Sequence, residues 1–175
     1  IGYQAGLACT DAVQNVIIGG RAMETSTSDD GAVVIGYYAG QKMEGATHTT
    51  IVGAGAAYKL TTGDHNTYIG SACGPGGGDS TGSYNTAVGS AALDANTTAD
   101  SNVAVGYGAL TANTTGAANV AIGFEAMQAM TGDYHRSIAI GFDAMKGSTR
   151  NSENIAIGAY AMDGTITNAS CTQNI

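Results

Sequence analysis

Three groups of residues have types and spacing that chemistry can use. His48 and His65 are 17 residues apart, each five residues before an Ile-Gly or Val-Gly step. Two imidazoles at one slot of stacked coils lie about 5 Å apart along the axis. A metal would need further ligands in tetrahedral or octahedral array. The same slot carries Tyr84, Ser101 and Ala118 in the following repeats, so a surface ladder is expected rather than an ion site. Glu125 and Asp143 each stand two residues after a glycine step in successive repeats. Glycosidase carboxylates are separated by roughly 5 to 9 Å, so spacing alone permits a pair. No positioning arginine shares their register, however, and no long insertion builds a cleft around them. The third group is Gly74-Pro-Gly-Gly-Gly-Asp-Ser80. It lacks the lysine and following helix of a phosphate-binding loop, and it is a single copy where calcium-binding nonapeptides stack. A bulging structural loop is expected. No catalytic, cofactor-binding or metal-binding residue is assigned, and the chain is expected not to be an enzyme.

The element that positions all of these is a repeat. A β-branched residue followed by glycine occurs at Ile1-Gly2, Ile18-Gly19, Ile35-Gly36, Val52-Gly53, Ile69-Gly70, Val88-Gly89, Val105-Gly106, Ile122-Gly123, Ile140-Gly141 and Ile157-Gly158. The steps are 17 residues, except 19 between Gly70 and Gly89 and 18 between Gly123 and Gly141. A short fixed period over the whole length predicts a solenoid of about ten coils. The chain, residues 1–175, therefore reads as one repeat domain. It opens inside a repeat and closes on Asn174-Ile175, the pair that opens the motif at Asn154-Ile155. An excerpt of a longer fibrous chain is the expectation.

Composition narrows the function classes. There are 14 acidic and 6 basic residues, a net charge of −8, and scattered acids of this kind argue against a nucleic-acid partner. No apolar run is long enough for a transmembrane helix. Charged residues make up only 11% and glycines number 27, which suits stacked coils rather than disorder. Cys9, Cys73 and Cys171 fall in separate repeats. At about 4.8 Å per coil the closest pair is too far apart for a disulfide. Cys73 takes the place of an alanine three residues after the glycine and is expected to be small, buried and apolar.

The later copies are cleanest: NVAVGYGA from Asn102, NVAIGFEA from Asn119 and NIAIGAYA from Asn154. Three β-branched or small residues before the glycine predict a short strand. The first and third, such as Val103 and Val105, share one face and are expected to fill the coil. The middle residue then points out. It is Ile17, Val34, Ile51 and Tyr68, then Ala87, Ala104, Ala121, Ala139 and Ala156. A half-exposed strand would alternate apolar with polar. Here both faces are apolar, so the outer one calls for a cover, most economically another copy of the chain. The change to alanine predicts a tighter subunit contact in the second half. Asn15, Asn66, Asn85, Asn102, Asn119 and Asn154 lie four residues before their glycines, which predicts turn bonding or a stacked amide ladder. The glycine itself predicts positive φ or close backbone approach. After it, alanine and then Leu93, Leu110, Met127, Met145 or Met162 predict a second short strand or a bend. Asn96-Thr-Thr, Asn113-Thr-Thr and Asn168-Ala-Ser match glycosylation acceptors, a match expected to be incidental to loop chemistry.

Asn85-Thr-Ala-Val-Gly-Ser-Ala-Ala-Leu93 and Asn102-Val-Ala-Val-Gly-Tyr-Gly-Ala-Leu110 resemble the YadA-like head β-roll of trimeric autotransporter adhesins and the repeat tracts of phage tail fibres. The resemblance covers the whole chain. It implies an all-β, left-handed parallel β-roll packed side by side as a homotrimer. It also implies a structural, extracellular role: a tail-fibre shaft, or a segment presenting loops to a host-surface glycan or protein receptor. The coil is longer than in adhesin heads, and with its Asn-Thr-Thr loops it favours the phage type over the bacterial head. An ice-binding solenoid would need a wider threonine array than Thr97-Thr98 over Thr114-Thr115. A carbohydrate-degrading tailspike would need insertions that are missing.

Overall fold

The structure, a computed structural model, describes residues 1–131, 133–147 and 152–164. Cys171, the Asn168 acceptor and the terminal Asn174-Ile175 lie outside them. Each repeat contributes one three-residue strand: β1 (Val16–Ile18), β2 (Val33–Ile35), β3 (Thr50–Val52), β4 (Thr67–Ile69), β5 (Thr86–Val88), β6 (Val103–Val105), β7 (Val120–Ile122), β8 (Ile138–Ile140) and β9 (Ile155–Ile157). They form one parallel sheet in sequence order. Each residue pairs with its counterpart one repeat on, across the irregular steps as well: Tyr68 pairs with Ala87 and Ala121 with Ala139. The extra residues are thus absorbed in loops, and the strand register is kept. The fold is an all-β parallel solenoid, as the period predicts.

Glycine is obligatory at the end of each strand for two reasons at once. Its φ runs from 128° at Gly158 to 142° at Gly53, a region that side chains avoid. A Cβ on Gly53 would also lie 2.1 Å from the carbonyl oxygen of Gly70 in the next coil. Beyond the glycine the chain bends rather than forming a second strand. Residues two and four positions on adopt left-handed φ, as in Tyr38 (57°) and Leu93 (57°), and so do residues five before the glycine, as in Ser101 (59°). These corners bring the backbone round into the next coil.

The strand faces are reversed relative to the sequence expectation. The middle residues Val34, Ile51, Tyr68, Ala87, Ala104, Ala121 and Ala139 are fully buried inside the coil. The first and third strand residues face out: Val16, Ile18, Ile69, Ile122 and Ile157 are exposed and the others half-buried. The asparagine four before the glycine sets this parity. Side chains alternate along a strand, so an inward asparagine carries the middle residue inward with it. Asn66, Asn85, Asn102, Asn119 and Asn154 are buried. Asn66, Asn85, Asn102 and Asn119 each staple coils together. The side-chain oxygen of Asn85 accepts the backbone N–H of Asn102 at 3.0 Å, and that of Asn102 accepts the N–H of Asn119 at 2.9 Å. The amide nitrogen of Asn85 donates to the carbonyl of Ala99 at 2.8 Å, and that of Asn102 to Gly116 at 2.9 Å.

The shift from large to small middle residues is therefore an interior matter, not a tighter subunit contact. The residue four after the glycine compensates for it. Val34, Ile51 and Tyr68 are matched in their repeats by Gly40, Ala57 and Gly74; Ala87, Ala104, Ala121 and Ala139 are matched by Leu93, Leu110, Met127 and Met145. A Cβ on Gly74 would lie 2.6 Å from the Tyr68 ring, and one on Gly40 would meet Ile51 at 3.1 Å and Val34 at 3.4 Å. Total volume is held while the large partner changes sides, as close packing requires.

Candidate functional site: the outward strand face and its two edges

With the middle residues inside, the outward face consists of paired columns of Val, Ile and Thr running through β1–β9. Nothing among the described residues covers it. Eight steps of about 4.8 Å give a face roughly 38 Å long. Monomeric proteins seldom leave so large a contiguous apolar patch exposed.

Two further exposed columns flank this face. The leading edge is the residue five before each glycine: Gln14, Gly31, His48, His65, Tyr84, Ser101, Ala118, Arg136 and Glu153. The trailing edge is the residue one after: Gly20, Tyr37, Ala54, Ser71, Ser90, Tyr107, Phe124, Phe142 and Ala159. His48 and His65 are placed together as stacked rings, centroids 5.1 Å apart, and Tyr84 extends the stack at 5.2 Å. The histidine pair thus belongs to an aromatic ladder. On the trailing edge Tyr107, Phe124 and Phe142 stack at 5.2 and 5.1 Å, and Tyr160 meets Phe142 edge-on at 5.4 Å. Sequence reasoning missed this second ladder, although three rings at one slot in successive repeats were its signal. Stacked rings of this kind contribute roughly 0.5–1.5 kcal/mol each beyond their buried area.

Glu125 and Asp143 are brought into adjacent coils as expected, but with a partner that sequence reasoning missed. Lys146, five residues after its glycine, binds both: its Nζ pairs with Glu125 and lies 3.3 Å from an oxygen of Asp143. The hydrogen bond to Glu125, followed by that to Asp143, holds the ammonium above its ordinary value. A lysine bridging two carboxylates offsets one of their two negative charges and ties both side chains to one cation. Lys146 stands three residues beyond Asp143, and that spacing was the signal in the sequence.

The Gly74–Ser80 loop takes up the two extra residues as a bulge. The N–H groups of Gly76 and Gly77 both donate to the carbonyl of Asp94, at 2.9 and 3.3 Å. Asp79 at its tip pairs with Lys42 at 3.2 Å and lies 4.0 Å from Lys59. Its backbone donors thus point at protein, not at an anion. Asp94 packs under the loop, and burial pushes its carboxyl above the usual carboxylate range.

Cys73 is fully buried in the alanine column as expected. Burial pushes its thiol up to about 12, and its sulfur contacts the Ala87 carbonyl at 3.1 Å. Cys9 is free and half-buried. Asn96 and Asn113 are buried, each closing its own loop: the Asn96 side chain accepts from Ala99 N–H at 2.9 Å, and that of Asn113 from Gly116 N–H at 3.0 Å. Neither is an accessible acceptor for a glycan. Among the described residues no three His, Cys, Asp or Glu side chains converge on a metal-sized site, and no helix is long and apolar enough to cross a membrane. No family model, no curated protein and no solved structure matches this chain.

Proposed function

We propose that this chain is a structural segment of a trimeric fibre that attaches to a host: the shaft of a phage tail fibre, or a stretch of it that presents loops to a surface glycan or protein. It acts outside the cell, on the virion, by rigidity and not by catalysis. The observation that carries the reading is the outward strand face, apolar from β1 to β9 and uncovered within the chain. A rod with one continuous apolar stripe is a component awaiting partners, and identical rods are the simplest partners available. The bulk chemistry fits a spacer: strands saturated by their neighbours along the axis, sheet edges confined to the two ends, and carboxylates tied to lysine. The head of a bacterial trimeric autotransporter adhesin is the second reading, favoured by the same Asn-x-Ala-x-Gly motif.

Sedimentation equilibrium tests the assembly. Three chains of 17.4 kDa give about 52 kDa, and a monomer at micromolar concentration would overturn the reading. Pull-down on bacterial cells separates the roles. Saturable binding marks a receptor-presenting segment, and its absence in a stable trimer marks a spacer.

A further inference from the structure

The two edges of the outward face carry a pattern that contacts within the chain do not explain. In each coil from β2 to β7 one edge bears a ring and the other a small residue. The leading and trailing pairs are Gly31 with Tyr37, His48 with Ala54, His65 with Ser71, Tyr84 with Ser90, Ser101 with Tyr107, and Ala118 with Phe124. The ring changes side between β2 and β3 and again between β5 and β6, yet the pairing is never broken. At β8 the pair is Arg136 with Phe142. Inside the coil an exchange of large and small residues is enforced by direct contact. At the edges it is not. The two members of a pair are separated by the strand and its two flanking residues, about 13 Å or more. Each ring stacks only within its own column or on an immediate neighbour.

We infer that the leading edge of one copy of this chain docks against the trailing edge of a second copy, parallel and level, with each ring filling the notch left by the small residue opposite. This arrangement alone requires one large and one small residue at the same level of every coil. An antiparallel pairing of like edges leaves the two edges of a coil independent, whereas the parallel, level pairing sets Arg136 over the Phe142 ring, where a guanidinium is favoured. The area is adequate. A face about 38 Å long and up to roughly 20 Å wide approaches the ~800 Å² per partner of a stable interface. The inference rests on self-assembly as proposed above and adds which edges meet and in what register.

Disulfide trapping tests it, in full-length chain with Cys9→Ser and Cys171→Ser. Tyr84→Cys with Ser90→Cys places thiols on opposite edges of one coil, too far apart to join within a chain. Mild oxidation is expected to link most chains into multimers, while either single variant stays unlinked. Ser101→Cys with Tyr107→Cys repeats the test in the next coil should the first pair fail to fold. Linkage in the Tyr84→Cys single variant, or in His65→Cys with Ala118→Cys, joins leading edge to leading edge, linkage in the Ser90→Cys single variant joins trailing edge to trailing edge, and any of these overturns the inference. The sedimentation mass of the same sample separates the two proposals. A multimer without the 84–90 link overturns the edge assignment alone; a monomer overturns both.

Discussion

The two halves of the rod, β1–β4 and β5–β9, share a backbone and fill it by opposite means. In the first half, apart from β1 where Ile17 and Met23 are both large, the strand supplies the bulk, with Val34, Ile51 and Tyr68 inside and Gly40, Ala57 and Gly74 beyond the turn. In the second the strand supplies alanine, and Leu93, Leu110, Met127 and Met145 reach in from the turn. The exchange falls at the 19-residue step between Gly70 and Gly89. One coil later the rings cross from the leading edge to the trailing edge. The difference teaches that the coil specifies a volume and a set of corner dihedrals, not a particular residue. Only the strand-end glycine is indifferent to the half in which it stands, whereas the asparagine staple gives way to Ala32 and Thr49 in the first half and to Ser137 in the second.

The largest expected effect tests what the halves share. Gly53→Ala and Gly106→Ala each force a side chain to φ of 142° or 131° and drive a Cβ to within 2.4 Å of the next coil's backbone. Each should lose about 3 kcal/mol or more in chemical denaturation, from strain and overpacking together. Tolerance in either half would break the common frame.

The next test converts one half into the other. Leu110→Ala alone should cost about 2–5 kcal/mol and Ala104→Ile alone about 1–3 kcal/mol. The double variant rebuilds the Ile51 and Ala57 arrangement of β3, and should recover at least half of the summed loss. Simple additivity in a double-mutant cycle would show that the two positions do not share a space.

A smaller effect concerns a group peculiar to the first half. Asp29 is buried at a slot held elsewhere by Ala46, Gly63, Gly82, Ala99 and Gly116. One of its oxygens accepts the N–H of Gly45, and the Ser26 hydroxyl and the Ala46 N–H lie close to the carboxyl. Burial pushes its carboxyl up from the ordinary value. The folded state therefore holds this proton more tightly than the unfolded chain. The stability so gained is full below the unfolded value, about 3.9, and is lost as pH rises through the raised folded value. Asp29→Asn keeps an acceptor for Gly45 and carries no charge. It should raise Tm by about 2–4 °C at pH 7, with the gap closing at pH 3. An equal gap at both pH values would remove charge burial as the cause.

The smallest effect is at Tyr68, the largest side chain in the first half's interior. Its hydroxyl is buried beside the Asn85 side chain but makes no well-formed hydrogen bond among the described residues, and burial holds the phenol above its usual value. Tyr68→Phe should be neutral or stabilising by up to about 1 kcal/mol. A loss of more than that would place a partner on the hydroxyl.

The period made the solenoid, the strand positions and the glycine's double duty legible, because backbone geometry repeats wherever the residues repeat. The face of the strand was misread because hydrophobicity cannot orient a segment that is apolar on both sides. The buried amide of Asn102 can, since the parity of a strand carries Ala104 inward with it. Complementary volumes at Tyr68 and Gly74, or at Ala104 and Leu110, were legible too, but only by reading across a turn within a coil. Lys146 escaped notice because its usefulness depends on a bend that brings it back over Glu125 and Asp143.

The asparagine staple also gives the rod a direction. Each side-chain oxygen accepts a backbone N–H from the coil that follows it in sequence, as Asn66 does for Asn85 and Asn85 for Asn102. A chain leaving the ribosome amino end first thus presents, at each asparagine-bearing coil, a finished turn whose last acceptor awaits the next repeat. Synthesis and folding can advance together, one turn behind each other, with each turn serving as the template for its successor.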